Sequence, residues 1–319
     1  MFRSVFALAM AAGTLLLPSF SWSADTFPSK PIHLVSHSKP GGGMDIILRH
    51  LAVPLEKDLG VSVVVEDRPG GSSAVAMTYV ATSKNPGYTV AGITNTQFST
   101  SLTNNPPKGI KDLRSVCKLV TDPLVMFVSK NTGYTDVKKL LSDVKSNPDK
   151  FSIAASQVGS VEYLIAYDLV QQGYKMTIIP FEAGGELTTS VIGGHVDIGI
   201  SEPSEVMGQA TAGNINILCT FTGKRLASFP DVPTAEEAGL KNGLQKVRMI
   251  MVPKETPDNI VARLEEACRK AMDDPEFKKF YESNDMVRDF KDAKAADMEK
   301  EEIIAVMTKA LSDLGILKR

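Results

Sequence analysis

Apolar positions along this chain recur at two different spacings. "PIHLVSH" (31–37) has the short, apolar-rich form of a strand, and after three consecutive glycines Ile47, Leu51, Leu55 and Leu59 recur every fourth residue, which predicts a buried helix face. Pro54 interrupts that face; it has no backbone donor and crowds the preceding turn, so a kink or an early helix end is expected. The strand "VSVVVE" (61–66), the turn "DRPGGSS", a helix over 74–81, the loop "SKNPG" and the strand "YTVAGIT" come next. Strand, glycine loop, helix and strand in this order predict parallel βαβ units with right-handed crossovers.

A second set of the same kind begins near "FSIAAS" (151–156) and runs through a helix over 163–171 to the strand "KMTIIP". After "FEAGGE" the pattern gives a short helix, the strand "HVDIGIS", a helix over 206–212 and the strand "INILCTF". Between the sets, "SVCKLVTDPLVMFVSKNTG" is long and apolar enough to cross from one α/β unit to the other, and "KVRMIMVPKETP" suggests the return. A tail helix with Ile260, Leu264, Ala267, Cys268 and Ala271 on one face is expected to fold back on the first unit, building it from both chain ends. No tandem repeat or low-complexity segment is visible.

The N-terminus, "MFRSVFALAMAAGTLLLPSFSWSADTF", places Arg3 before an apolar run from Val5 to Leu17 and ends in small residues, the layout of a secretory signal peptide. Cleavage after Ser23 is preferred, because cleavage after Ala24 would put bulky Trp22 at a small-residue position. The mature protein is then expected in the periplasm and without tryptophan. With Lys+Arg 35 against Asp+Glu 37 and no basic block, nothing favours a nucleic-acid or membrane-surface partner. Cys117, Cys219 and Cys268 are odd in number and far apart, so they read as buried thiols, not as a disulfide framework.

Chemistry-bearing motifs narrow the function by what they lack. "PGGGMD" is not G-x-G-x-x-G, and the chain has no G-x-x-x-x-G-K-[ST], no G-x-S-x-G and no H-E-x-x-H, so neither nucleotide binding nor a hydrolase signature is supported. His33 and His37 share a strand face without a third ligand nearby and read as structural; no metal or cofactor is expected. What remains is a strand-to-helix glycine turn, whose free N–H groups sit where the helix dipole favours an anion. Three sister turns repeat it: Gly70, Gly71, Ser72 and Ser73; Ser156, Gly159 and Ser160; Gly184 and Gly185. In a doubly wound sheet all four lie at the carboxyl ends of strands, where ligands bind. Asp45 reads as a helix-start carboxylate accepting local N–H groups, Lys39 as a solvated lysine or a counter-charge at the cleft, and Glu202 as a cleft carboxylate or a surface one.

The succession "PSKPIHLVSHSKPGGGMD", "VVVEDRPGGSS", "NPGYTV", "VIGGHVDIGIS", "SFPDVPTAEEAG" and "VPKETPDNIVARLEEACRKAMDDPEF" resembles the extracytoplasmic receptors of tripartite tricarboxylate transporters, the Bug-type receptors, over essentially the whole mature chain. The resemblance implies an α/β two-lobed periplasmic binding protein fold of type II, each lobe a mostly parallel sheet flanked by helices. Residues 24–125 plus 251–319 would form the first lobe and 126–250 the second. It further implies a monomer that is not an enzyme, closes on a small organic acid and hands it to membrane permease subunits. Carried over by motif, the ligand site comprises Pro40, Gly41, Gly42 and Gly43; Gly71, Ser72 and Ser73; and Thr94, Asn95, Thr96 and Gln97. In the second lobe it comprises Ser156, Gly159, Ser160, Ala183, Gly184, Ser201 and Glu202.

Two positions depart from the family pattern: Tyr163 stands where a histidine usually follows the "G-S" helix start, and Val247–Arg248 stands where many relatives carry a tryptophan. The triple glycine before Met44 and Asp45 is more similar to the tricarboxylate branch, which favours a di- or tricarboxylate. The alternatives are an exported enzyme acting on a carboxylate through a cleft residue such as His195 or Asp197, a receptor for an aromatic or amino-acid carboxylate, and a sensory receptor.

Overall fold

In the computed structural model, which describes residues 27–240, 245–313 and 315–317, the chain builds two sheets in turn and then returns to the first. The expected signal segment, with Trp22, lies outside the described residues. The first unit runs β1 (Ile32–Ser36), α1 (Gly43–Leu59), β2 (Val63–Asp67), α2 (Ala74–Ala81), β3 (Thr89–Ile93), α3 (Asn95–Thr103) and β4 (Leu113–Asp122). The second runs β5 (Val125–Ser129), α4 (Val137–Ser146), β6 (Phe151–Ala155), α5 (Val161–Gln171), β7 (Met176–Pro180), α6 (Gly184–Ile192), β8 (Ile198–Ser201), α7 (Pro203–Thr211) and β9 (Ile215–Thr220). The chain then passes to β10 (Lys246–Pro253), α8 (Asp258–Ala271), α9 (Pro275–Ser283), β11 (Val287–Lys291) and α10 (Ala293–Asp313).

The first sheet has the order β11-β4-β10-β3-β1-β2 and the second β7-β6-β8-β5-β9. The parallel pairing expected of βαβ units joins β1 to β2 and β3, and β6 to β7 and β8. Both sheets are nevertheless mixed, because the crossing strands run back: β10 is antiparallel to β3 and β4, and β5 to β8 and β9. The long apolar run splits at Pro123, which has no N–H for a ladder, so β4 closes in the first sheet and β5 opens in the second. Helices α8 and α10 pack on β4, and α8 also packs on α1, so the chain's tail does return to the first sheet.

Helix α1 shows how burial overrides a local conflict. Ile47, Leu51, Leu55 and Leu59 are all buried in the first core, each contributing roughly 1.5–3 kcal/mol relative to exposure. The expected early end does not occur: Pro54 is itself buried and the helix runs on to Leu59, where Gly60 at φ 70° returns its N–H to the Glu56 carbonyl. The apolar face on both sides of the proline outweighs a cost of about 3 kcal/mol. Cys117, Cys219 and Cys268 are free and buried, and burial pushes the Cys219 thiol up to about 12.

Candidate functional site

The three consecutive glycines perform three different tasks. Gly41 adopts φ +83°, a conformation open to glycine, and its N–H donates to Asp45 Oδ2 at 2.8 Å, so Asp45 is indeed a helix-start acceptor. Gly42 donates to the Lys39 carbonyl and leaves no room for a side chain, since a Cβ would stand 2.7 Å from that of Ser38. Gly43 alone turns its amide across to the second unit, donating to Glu205 Oε1 at 2.5 Å.

Opposite this turn lie the carboxyl ends of β6, β7 and β8. They bring Ser156, the Glu182–Ala183–Gly184 turn, and Glu202 with Glu205 against His37, Ser38, Met44 and Thr96, around a cavity of only about 10 Å³. That volume admits about one water, so this is a closed arrangement already filled by side chains. Ser201 donates its hydroxyl to Glu205 Oε2. At the rim Lys39 Nζ meets Glu186 Oε1 at 2.7 Å, both exposed, so the lysine is a counter-charge to the opposite half.

Behind the turns sits a buried ion network. Lys246 and Arg248, two apart on β10, point to one face; Lys246 lies between Glu162 and Glu202, and Arg248 pairs with Asp122 and reaches Glu202 Oε1 at 2.6 Å. Glu202 is thus a cleft carboxylate engaged by the chain's own cations. Burial opposes its ionisation, but Lys246 and Arg248 outweigh burial and hold it well below the usual carboxylate range. Burial, with the Glu202 charge beside it, pushes the Glu205 carboxyl well above that range. The bare Cα of Gly43 makes room for this network, since a Cβ there would stand 2.7 Å from both Arg248 Nη2 and Glu202 Oε1.

His37 is fixed by its neighbour. Gln97 Oε1 accepts the Thr94 N–H and its Nε2 donates to the Gly92 carbonyl, so the amide can only donate to His37 Nδ1, at 3.0 Å. Neutral His37 therefore carries its proton on Nε2. Burial, then Lys246 and Arg248, lower its pKa to about 3. The structural role expected of it is compatible with this fixed position, and its ring also lines the cavity.

Of the residues singled out from sequence, Gly42, Gly43, Thr96, Ser156, Ala183, Gly184 and Glu202 come together around the cavity. Pro40 and Gly41 are exposed at the rim. Gly71, Ser72 and Ser73 follow the edge strand β2 and pack toward α3, where Thr100 Oγ1 bonds the Ser72 carbonyl. Asn95 braces β10 through the Val247 N–H, Thr94 and Gln97 brace each other, and Ser160 caps α5 through the Tyr163 N–H. Gly159 fits against Ser99 of the opposite half, and Ser201 holds Glu205.

His195 and Asp197, named as enzyme candidates, are not cleft residues. They precede β8, at the opposite end from the site; His195 is exposed and Asp197 holds Ser152. Among the described residues no His, Cys, Asp or Glu cluster suits a metal, and no helix is long and apolar enough to cross a membrane.

Ser38, Glu182, Glu205 and Lys246 were not foreseen from the sequence, and Arg248 was seen only as a departure from the family pattern. Two cations at i and i+2 in the apolar strand "KVRMIMVP", and two glutamates at i and i+3 opening a helix, were the available signals. A larger cavity of about 670 Å³ lies beside the crossings, lined by Phe221, Leu226 and Met286 among others. It touches the network at Asp122 and Lys246 but receives none of the glycine turns.

Two α/β units joined by two crossings, with glycine turns facing each other from the strand ends, define the two-lobed class of periplasmic binding proteins. The chain belongs to the tripartite tricarboxylate transporter receptor family, whose model matches residues 47–304. It is 30% identical over 280 residues to a UPF0065 protein of Bordetella pertussis, covering 86% of each chain. The structure of the periplasmic binding protein BugD superposes with a TM-score of 0.86 at 23% identity, over 92% of this chain and 100% of that one. The R. palustris protein Rpa4515, solved with adipate, also gives 0.86 at 23% identity, over 91% and 98%.

Proposed function

We propose that this chain is a periplasmic receptor that closes two lobes on a small organic acid, a di- or tricarboxylate in preference, and delivers it to the membrane permease of a tripartite transporter. The observation that carries the reading is the Gly43 amide, which reaches across the cleft and holds a carboxyl group. Family membership and the adipate bound to a protein of the same fold support it. The chain passes from the first sheet to the second at Pro123–Leu124, between β4 and β5, and is back in the first sheet at β10. Closure there lets a ligand touch both halves only in the shut form, which is how binding shifts an open-to-closed equilibrium.

Calorimetric titration against a panel of di-, tri- and amino-carboxylates tests this. One-site saturable binding of at least one dicarboxylate or tricarboxylate is expected. No heat and no thermal shift with any organic acid would contradict it.

A further inference from the structure

Glu205, the third residue of α7, occupies a seat with the features of an anion site. Its Oε1 takes the Gly43 amide proton at 2.5 Å, and its Oε2 takes the Ser201 hydroxyl. Its carboxyl group lies on the bare Cα of Gly184, where any Cβ would fall onto the carboxyl atoms. An amide donor at a helix start, a hydroxyl donor and an uncovered glycine are what binding a carboxylate from solution requires. With Glu205 in place, only about 10 Å³ of the cavity is free. Burial, with the Glu202 charge beside it, raises this carboxyl group well above its ordinary range, so the seat favours the uncharged form of the acid.

We propose that Glu205 is a built-in occupant of the carboxylate subsite: its carboxyl group stands where one carboxylate of the ligand binds, and the ligand enters by displacing it. The inference rests on the receptor reading above. Gly43 belongs to α1 on the first sheet and Glu205 to α7 on the second, so the same contact ties the two halves together across the cleft. Glu205 is then a specificity-determining residue, because every ligand carboxylate competes with it.

Truncation tests this directly, since Glu205→Ala empties a seat the size of a small monocarboxylate. Acetate and propionate should raise the melting temperature of E205A saturably while leaving wild type and the isosteric E205Q unmoved. A dicarboxylate that binds wild type should bind E205A at least tenfold more tightly. If E205A does not fold by circular dichroism, Glu205→Ser is read in the same way.

A folded variant that gains no monocarboxylate binding and keeps wild-type dicarboxylate affinity overturns the proposal and leaves the receptor reading intact. Monocarboxylate rescue in a protein whose wild type binds no di- or tricarboxylate supports the occupant and removes the receptor reading. Failure of every acid on every variant overturns both.

Discussion

His37 shows how one side chain acquires a defined state from neighbours distant in sequence. Gln97 fixes its tautomer, and burial beside Lys246 and Arg248 lowers its pKa from 6.5 to about 3. The unfolded chain takes up this proton as pH falls through 6.5, whereas the folded chain resists until about 3. This group's stabilising contribution is therefore complete above pH 6.5 and is lost toward pH 3, at about 1.4 kcal/mol per pH unit. The variant His37→Phe should show a shallower fall in urea-unfolding free energy between pH 6 and pH 4, by about one proton's worth relative to wild type. Equal slopes would mean that His37 titrates normally. The histidine could be read in the sequence at a strand end, but not its state, which depends on Gln97 sixty residues later. The glycine triplet was legible as a strand-to-helix turn, whereas the division of tasks among Gly41, Gly42 and Gly43 depends on Asp45, Ser38 and Glu205.

Among the elements, β10 does most to join fold and site. It lies between β3 and β4 and carries Lys246 and Arg248 on one face, with Val247 and Met249 turned into the core behind. Removing one partner of a buried ion pair strands the other charge at a cost of about 3–5 kcal/mol. Arg248→Met, which leaves Asp122 and Glu202 facing each other, should lower the unfolding free energy by that amount. Urea denaturation measures it, and a loss below about 1 kcal/mol would show that the network does not hold the fold.

Elements with clear apolar spacing were readable: α2 spans the predicted 74–81, and the predicted face of α8 is buried apart from partly buried Ile260. Helix α3, "NTQFSTSLT", was not, because its buried residues are mostly polar and give no apolar period. The antiparallel direction of β10 was equally illegible, since strand pairing is a tertiary choice that leaves no mark on spacing.

In the whole molecule, the two crossings bring six separate segments, around residues 37–44, 96, 156, 182–184, 202–205 and 246–248, to one cleft. The chain order of the two units was visible because each repeats strand, glycine turn and helix. The site was visible only where it is built from those turns; its charged half, Glu205 with Lys246 and Arg248, comes together through topology.

If the cleft amides take a carboxylate, their backbone amide resonances report it. In a ¹⁵N-labelled sample titrated with a dicarboxylate such as adipate, the Gly43 and Gly184 amides should shift saturably with ligand. The Gly60 amide, bonded to the Glu56 carbonyl at the far end of α1, should stay in place. An organic acid that binds while leaving Gly43 and Gly184 unmoved would contradict the account.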